Sequence, residues 1–428
     1  MKNTFKKNII EFQEGGIKNY IPREYNIPIN SKKIISLIGV RRCGKTSILF
    51  NIIKELQKTV DIENILYINF EDDRLFGLKI DKMDNLIEAY YELYPQKREE
   101  KVYFFLDEIQ NIENWELFVR RIYDTLNIQI FITGSSSKLL SAEIATSLRG
   151  RTISYEIFPF SFKEYLRWKD IKVNLNSPKS LSFIKNALDA YLKEGGFPEC
   201  IDEDKFVSRK IISEYINLIV YKDIIERYKL KNIDLLKHLI KYTFSNMGTL
   251  LSFNKLYNEF KSMGYKLSKD TLFDYFSYLE DGYITFKVPI HRNSVKEEIR
   301  NPKKIYAVDN VFKSVYDSSF SEDFSKLYEN IVFLHLRRQT SEIYYFKQKQ
   351  EVDFYAFINN NKILINVSYD LDNPKTYKRE INGIIEGMKY FNIKESIIVT
   401  KDQESKEIID DYIINIIPLY KFLLELNF

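Results

Sequence analysis

Apolar runs of five or six residues recur along the first third of the chain, each closing on polar or turn-type residues. They are Lys33-Ile34-Ile35-Ser36-Leu37-Ile38, Ile65 to Phe70, Val102 to Leu106, Ile128 to Ile132 and Thr152 to Ile157. Runs of this length bounded by turn signals read as buried strands. Between them the spacing changes to that of helices. Ser47 to Lys58 is apolar at Ile48, Leu49, Ile52, Ile53 and Leu56. Trp115 to Leu126 places Trp115, Phe118, Val119, Ile122 and Leu126 on one face, a stripe that belongs to a core. The expected class is α/β.

What joins the first strand to the first helix is more specific than the pattern. Gly39-Val40-Arg41-Arg42-Cys43-Gly44-Lys45-Thr46 matches G-x-x-x-x-G-K-[ST] without a gap. Strand, glycine loop and helix together make a phosphate cradle, because backbone N–H groups of the loop and helix start face an anion. Gly39 to Ser47 is thus the expected nucleotide-binding stretch, with the Lys45 ammonium on the β- and γ-phosphates and the Thr46 hydroxyl on Mg²⁺. The third apolar run ends in Asp107-Glu108, a Walker B pattern. Asp107 is expected to hold Mg²⁺ through water, and Glu108 to polarise the attacking water as general base. The fourth run ends in Thr133-Gly134-Ser135-Ser136-Ser137. There Thr133 or Ser135 is a candidate sensor of the γ-phosphate, and a serine helix cap is a compatible reading. Arg149 and Arg151 follow, as candidates for an arginine finger reaching a neighbouring subunit's nucleotide or as plain surface arginines.

Bulk properties narrow the class without naming a partner. At about 100–200 residues per domain, 428 residues suggest two to four domains. Hydrophobic residues are 45% of the chain, which excludes a disordered polymer. Lys plus Arg number 64 against 60 Asp plus Glu, so any basic surface is local. Two cysteines, Cys43 and Cys200, form no disulfide framework, and a reducing cytoplasm fits. Cys43 reads as a loop filler. No apolar run approaches the ~18 residues of a membrane span. The first residues, Met1 to Lys7, lack the apolar core of a signal peptide. Residues 1–31, broken by Pro22 and Pro28, form an arm lying either against the nucleotide base or on the surface.

The ordered series of motifs resembles archaeal and bacterial AAA+ type ATPases of the additional-strand catalytic-glutamate kind, with a nuclease-like C-terminal domain. It runs through Gly39 to Thr46, Phe105 to Gln110, Thr133 to Ser136, Leu148 to Arg151, Phe158 to Leu166 and Gly195-Gly196-Phe197-Pro198-Glu199. The resemblance implies a P-loop NTPase core over 32–158 with sheet order 5-1-4-3-2. It also implies a helical lid or connector over 159–235, and Gly196 to Pro198 near the adenine.

Beyond the lid, residues 236–300 resemble a winged helix. One helix starts at Leu251 to Phe253, and another follows a Ser268 cap with Leu272, Tyr275, Phe276 and Leu279 inward; Tyr283 to Phe286 is the first wing strand. The second helix carries Asp270, Asp274, Glu280 and Asp281 beside Lys269, and carboxylates repel phosphate. His291, Arg292, Lys296, Arg300, Lys303 and Lys304 follow. They suit a wing gripping DNA phosphates without sequence readout; a protein-contact module is the alternative. Residues 301–428 resemble a small α/β PD-(D/E)XK nuclease fold, with Glu329 on a helix and Asp353 on a strand. Asn366 and Ser368 stand where a metal-ligating glutamate and a catalytic lysine belong, so the expectation is a nuclease fold without nuclease activity. The resulting expectation is a cytoplasmic, Mg²⁺-dependent ATPase moving C-terminal modules that contact DNA. The alternatives are a nucleotide-gated DNA-binding protein or scaffold with slow turnover and, third, a P-loop kinase.

Overall fold

The computed structural model describes residues 1–135, 146–316 and 324–426, with the backbone alone described at Ser135. The chain divides into two compact units, Met1–Phe158 and Pro159–Phe428.

The first unit is an α/β layer structure around a five-stranded parallel sheet. Its strands are β1 (Ile34–Gly39), β2 (Ile65–Asn69), β3 (Val102–Asp107), β4 (Ile128–Ser135) and β5 (Thr152–Glu156). Their spatial order is β2-β3-β4-β1-β5, which is the expected 5-1-4-3-2 read from the other edge. All six residues of β1 and all six of β3 are buried, as near-continuous apolar runs in a covered parallel sheet should be. Helix α1 (Lys2–Gly15) buries Phe5 and Ile9. Helix α2 (Lys45–Leu56) buries the five apolar positions named above. Helices α3 (Asp84–Leu93) and α4 (Trp115–Thr125) complete the layers. Because all strands run the same way, the residues after β1, β3 and β4 gather at one edge.

The second unit opens with helices Phe162–Trp168, Pro178–Glu194 and Lys205–Leu218, the last continuing through a π-helical stretch, Ile219–Ile225. Helices Ile233–Ser245, Phe253–Ser262 and Lys269–Asp281 follow. A three-stranded antiparallel sheet stands in the order β6 (Leu250–Leu251), β8 (Lys303–Ala307), β7 (Thr285–Val288). Strand β7 starts later than the sequence suggested, because Tyr283 sits in the left-handed region at φ 52° and turns the chain. A six-stranded mixed sheet combines β9 (Ile343–Lys347), β10 (Glu351–Ile358), β11 (Asn361–Val367), β12 (Glu395–Thr400), β13 (Ser405–Ile409) and β14 (Tyr412–Pro418). Helix Pro374–Phe391 covers it with Ile381, Ile384, Met388 and Phe391 against Val352, Leu364, Ile398 and Ile414. Gly383 allows this approach: a Cβ there would stand 3.1 Å from the Glu351 carbonyl oxygen.

The Gly195-Gly196 turn is held by Asp309, whose Oδ2 accepts from Gly196 N at 2.8 Å and Oδ1 from Val311 N at 2.9 Å. Burial pushes the Asp309 carboxyl up to about 6, against the lowering pull of those two bonds. A folded pKa above the unfolded one means that the native state holds the extra proton. This contribution to stability is therefore full below about pH 4 and is lost as pH rises through 6, up to about 3 kcal/mol. Urea midpoints of Asp309→Asn and the unaltered chain should accordingly converge, or cross in favour of the variant, between pH 4.5 and pH 7.

Candidate functional site

The phosphate-loop motif is built by two glycines in positions that exclude a side chain. Gly39 ends β1 against Ile157, whose carbonyl oxygen would lie 2.1 Å from an added Cβ. Gly44 caps α2 at φ 97°, a backbone state that glycine adopts without strain. Between them Val40 and Cys43 are buried, Arg41 is half-buried and Arg42 is exposed. The Cys43 thiol is pushed up by burial, although Lys45 and Arg23 pull it down. It fills the loop as a neutral group. Lys45 is 5% exposed, and its Nζ donates to Gly39 O and Val40 O, each at 3.1 Å. Ser47 is half-buried in the first turn of α2.

Thr46 Oγ1 donates to Asp107 Oδ2 at 2.9 Å, and Tyr67 OH donates to the same oxygen at 2.9 Å. Thr133 Oγ1 donates to Asp107 Oδ1 and accepts from Glu108 N at 2.9 Å. One hydrogen-bonded chain thus joins the helix after β1, the end of β3 and the buried threonine of β4. Burial pushes the Asp107 carboxyl above its ordinary range, while the Thr133, Tyr67 and Thr46 hydroxyls pull the other way and Glu108 adds to the rise. Glu108 has φ 54° and ψ 41°. A non-glycine residue in this region stores strain of roughly 1–2 kcal/mol. Gln110 Nε2 donates to Glu108 Oε2. Glu71 stands near this edge, its carboxyl raised by burial and then by Glu108.

The structure brings Gly39 to Ser47, Asp107, Glu108 and Thr133 to one edge. The Ser135 side chain, Ser136 and Ser137 lie outside the described residues. Arg149 and Arg151 precede β5, whose register pairs Thr152 with Ile34 and Glu156 with Ile38. They therefore sit where the strands begin, the opposite edge from the phosphate loop. Arg149 is exposed; Arg151 forks onto Asp124 at 2.9 and 3.0 Å. Pro198 belongs to the second unit, where its glycine turn packs on Phe160 and Asp309. Sequence reasoning missed Tyr67, which is invisible without the β2–β3 pairing, and Arg23, whose guanidinium meets the loop.

A second cluster lies within the second unit. Lys304 Nζ contacts Glu329 Oε1 at 2.9 Å, Glu351 Oε1 at 2.9 Å and Asp353 Oδ1 at 2.7 Å, and its side chain is 2% exposed. Tyr306 OH donates to Glu329 Oε1 at 2.7 Å, and Lys326 reaches its Oε2 at 3.0 Å. Burial alone would lower the Lys304 pKa. Asp353 and Glu329 more than offset that, and it stands well above ordinary. Asn366 Oδ1 accepts from Asp353 N at 3.1 Å, while its Nδ2 donates to Glu380 Oε2 at 2.8 Å. Ser368 Oγ donates to Asp370 O at 2.9 Å. Among the described residues, no group of three or more His, Cys, Asp or Glu is arranged to hold a metal ion. This corrects one expectation: Lys304 is no phosphate-gripping wing residue, because its charge is enclosed by carboxylates. Of the six basic residues expected to face phosphate, Lys296 and Arg300 are exposed, on a short helix, Val295–Arg300, between β7 and β8.

Three family matches span this chain: the AAA domain over residues 31–166 and two domains of unknown function, DUF8612 over 185–315 and DUF4143 over 324–422. Uncharacterized protein MJ1544 of Methanocaldococcus jannaschii is 37% identical over 421 residues, covering 94% of this chain and 91% of that protein. The chain belongs to the family of that uncharacterized protein. A second relative, an uncharacterized protein of Haemophilus influenzae, is 31% identical over 375 residues, covering 85% of this chain and 90% of its own length. Among solved structures, the Aeropyrum pernix ORC1 protein in complex with DNA is similar at 12% identity and a TM-score of 0.32, over 75% of this chain and 92% of that one. The AAA domain contains the whole hydrogen-bonded edge from Gly39 to Thr133. Among the described residues, no helix is long and apolar enough to cross a membrane.

Proposed function

We propose that the first unit binds ATP with Mg²⁺ and hydrolyses it. The observation carrying this reading is the chain Thr46–Asp107–Thr133–Glu108, which sets a hydroxyl, a buried carboxylate and a second carboxylate beside one phosphate loop. The donor set suits Mg²⁺: two oxygens, Thr46 Oγ1 and Asp107 Oδ2, already converge at 2.9 Å. Thr46 and Asp107 would hold Mg²⁺, which would supply charge to offset that of the phosphates. The loop N–H groups and Lys45 bind the phosphates. Glu108, half-buried at the strand end, takes the proton of the attacking water. Thr133 acts through the two carboxylates, donating to one and fixing the backbone of the other; a γ-phosphate sensing role would run through that bridge. Lys45→Ala should weaken binding of a fluorescent ATP analogue about 10–100-fold while leaving the thermal midpoint within a few degrees. Equal affinity in both chains would sink the assignment.

The second unit, on this reading, is a helical lid or connector (159–235), a winged helix (236–300) and a nuclease-like region (301–428). The helix–strand order Phe253–Ser262, Lys269–Asp281, β7, β8 supports the winged helix. The nuclease-like region acts without cleavage, an inference supported by Asn366, Ser368 and the Lys304 ammonium among the acidic side chains. DNA contact then falls to exposed lysines and arginines such as Lys296 and Arg300. Gel-shift binding across a salt series, with and without ATP, decides between this and a scaffold with slow turnover; a steep salt slope with little hydrolysis favours the latter's nucleotide-gated DNA-binding form. Arg149 in trans, in a cytoplasmic homo-oligomer, requires a particle that grows only with ATP.

A further inference from the structure

Arg23 of the N-terminal arm reaches the phosphate loop. Arg23 Nη1 donates to Cys43 O at 2.9 Å, and Nη2 of the same guanidinium donates to Phe158 O at 2.7 Å. The fit leaves no slack: a Cβ on Gly44 would stand 2.9 Å from Nη1. The arm is itself fixed to α2, where Asn51 Nδ2 donates to Ile21 O at 2.9 Å. Tyr25 OH accepts from Phe158 N at 2.8 Å. Both backbone polar groups of Phe158 are therefore held by the arm, and the residue is 1% exposed. Phe158 is the last residue of the first unit, and Pro159 begins the second. Within that second unit, Arg338 Nη2 donates to Pro159 O at 2.6 Å. Consecutive carbonyls at the junction are thus each gripped by an arginine.

A guanidinium is a rigid planar fork. Its two donors cannot follow Cys43 O and Phe158 O independently, so a shift of either carbonyl strains the bond to the other. Cys43 lies inside the loop whose peptides face the phosphates. We propose that Arg23 couples the state of the phosphate loop to the Phe158–Pro159 peptide, and so to the second unit. This rests on the ATP reading and names the residue through which that site communicates. It is a positioning residue, acting through two carbonyls.

The test is hydrogen exchange on the full chain with and without a non-hydrolysable ATP analogue and Mg²⁺. The unaltered chain should show nucleotide-dependent protection both at 39–47 and at 157–168. Arg23→Ala should retain protection at 39–47 and lose at least about tenfold of the exchange difference at 157–168. Arg23→Lys, which keeps the charge and loses the fork, should behave like Arg23→Ala. Tyr25→Phe, with Arg23 intact, should reduce the difference at 157–168 and spare the loop, so a poorly folded Arg23 variant still leaves a readout. An undiminished difference at 157–168 in Arg23→Ala or Tyr25→Phe overturns the coupling, as does full rescue by Arg23→Lys. So does protection confined to 39–47 in the unaltered chain. No protection anywhere in the unaltered chain instead removes the ATP reading and the proposal with it.

Discussion

Glu108→Gln is expected to keep ATP and lose turnover, by about 10²–10⁴-fold. The amide has the size of the carboxylate and accepts hydrogen bonds, but it cannot take a proton. The backbone at φ 54° is the same for either side chain, and Thr133 still accepts from the residue 108 N–H. The phosphate loop, Thr46 and Asp107 are untouched, so nucleotide affinity should stay within about threefold, under 1 kcal/mol. Steady-state phosphate release and analogue binding, measured on the same preparation, separate the two effects. Unchanged phosphate release would remove Glu108 as the base. Loss of affinity alongside loss of turnover would instead point to a disturbed Asp107–Thr133–Glu108 bridge.

How much of this edge could be read beforehand follows from the range of the interactions. Gly39 to Thr46 and Asp107-Glu108 are contiguous spellings on apolar strands, and the periodicity places those strands to within a residue or three at their ends. The parallel sheet follows once each strand is joined by a helix. Side-chain destinations across the sheet do not follow. Tyr67 reaches Asp107 only because β2 and β3 pair with Asn69 opposite Asp107. Arg23 lies 20 residues from Cys43 and 135 from Phe158 in sequence, and nothing in Ile21 to Tyr25 marks it apart from other surface arginines. Arg151 is a finger candidate only by its place after Thr133 to Ser137 in the sequence. Its partner Asp124 belongs to another element. The edge strand β13 also escaped notice, because Ser405, Lys406 and Glu407 leave it only two apolar residues, short of the run that marks a buried strand.

The largest stability effect should come from Lys304→Met. Methionine fits the space of the lysine stem and carries no charge, so the variant keeps the packing and deletes one cation. Glu329, Glu351 and Asp353 would remain, with Lys326 as the cation still paired to Glu329. Breaking a buried ion pair from one side typically costs about 3–5 kcal/mol, because the surviving charge is left unpaired in a poorly solvated place. A loss of that size should appear as a lower urea midpoint. It should also depend on pH, with a definite sign. Burial has already raised the Asp353 carboxyl to about 6, while the Lys304 charge pulls it down. Removing the lysine raises it further, so the native variant binds a proton that the unfolded chain releases. Its deficit against the unaltered chain should therefore shrink as pH falls from 7 to 5. Asp353→Asn in the Lys304→Met background should recover part of the loss at pH 7, since it removes one of the stranded charges. A Lys304→Met chain within about 1 kcal/mol of the unaltered one would mean that solvent relieves the cluster, and the second unit would then owe little of its stability to this cation.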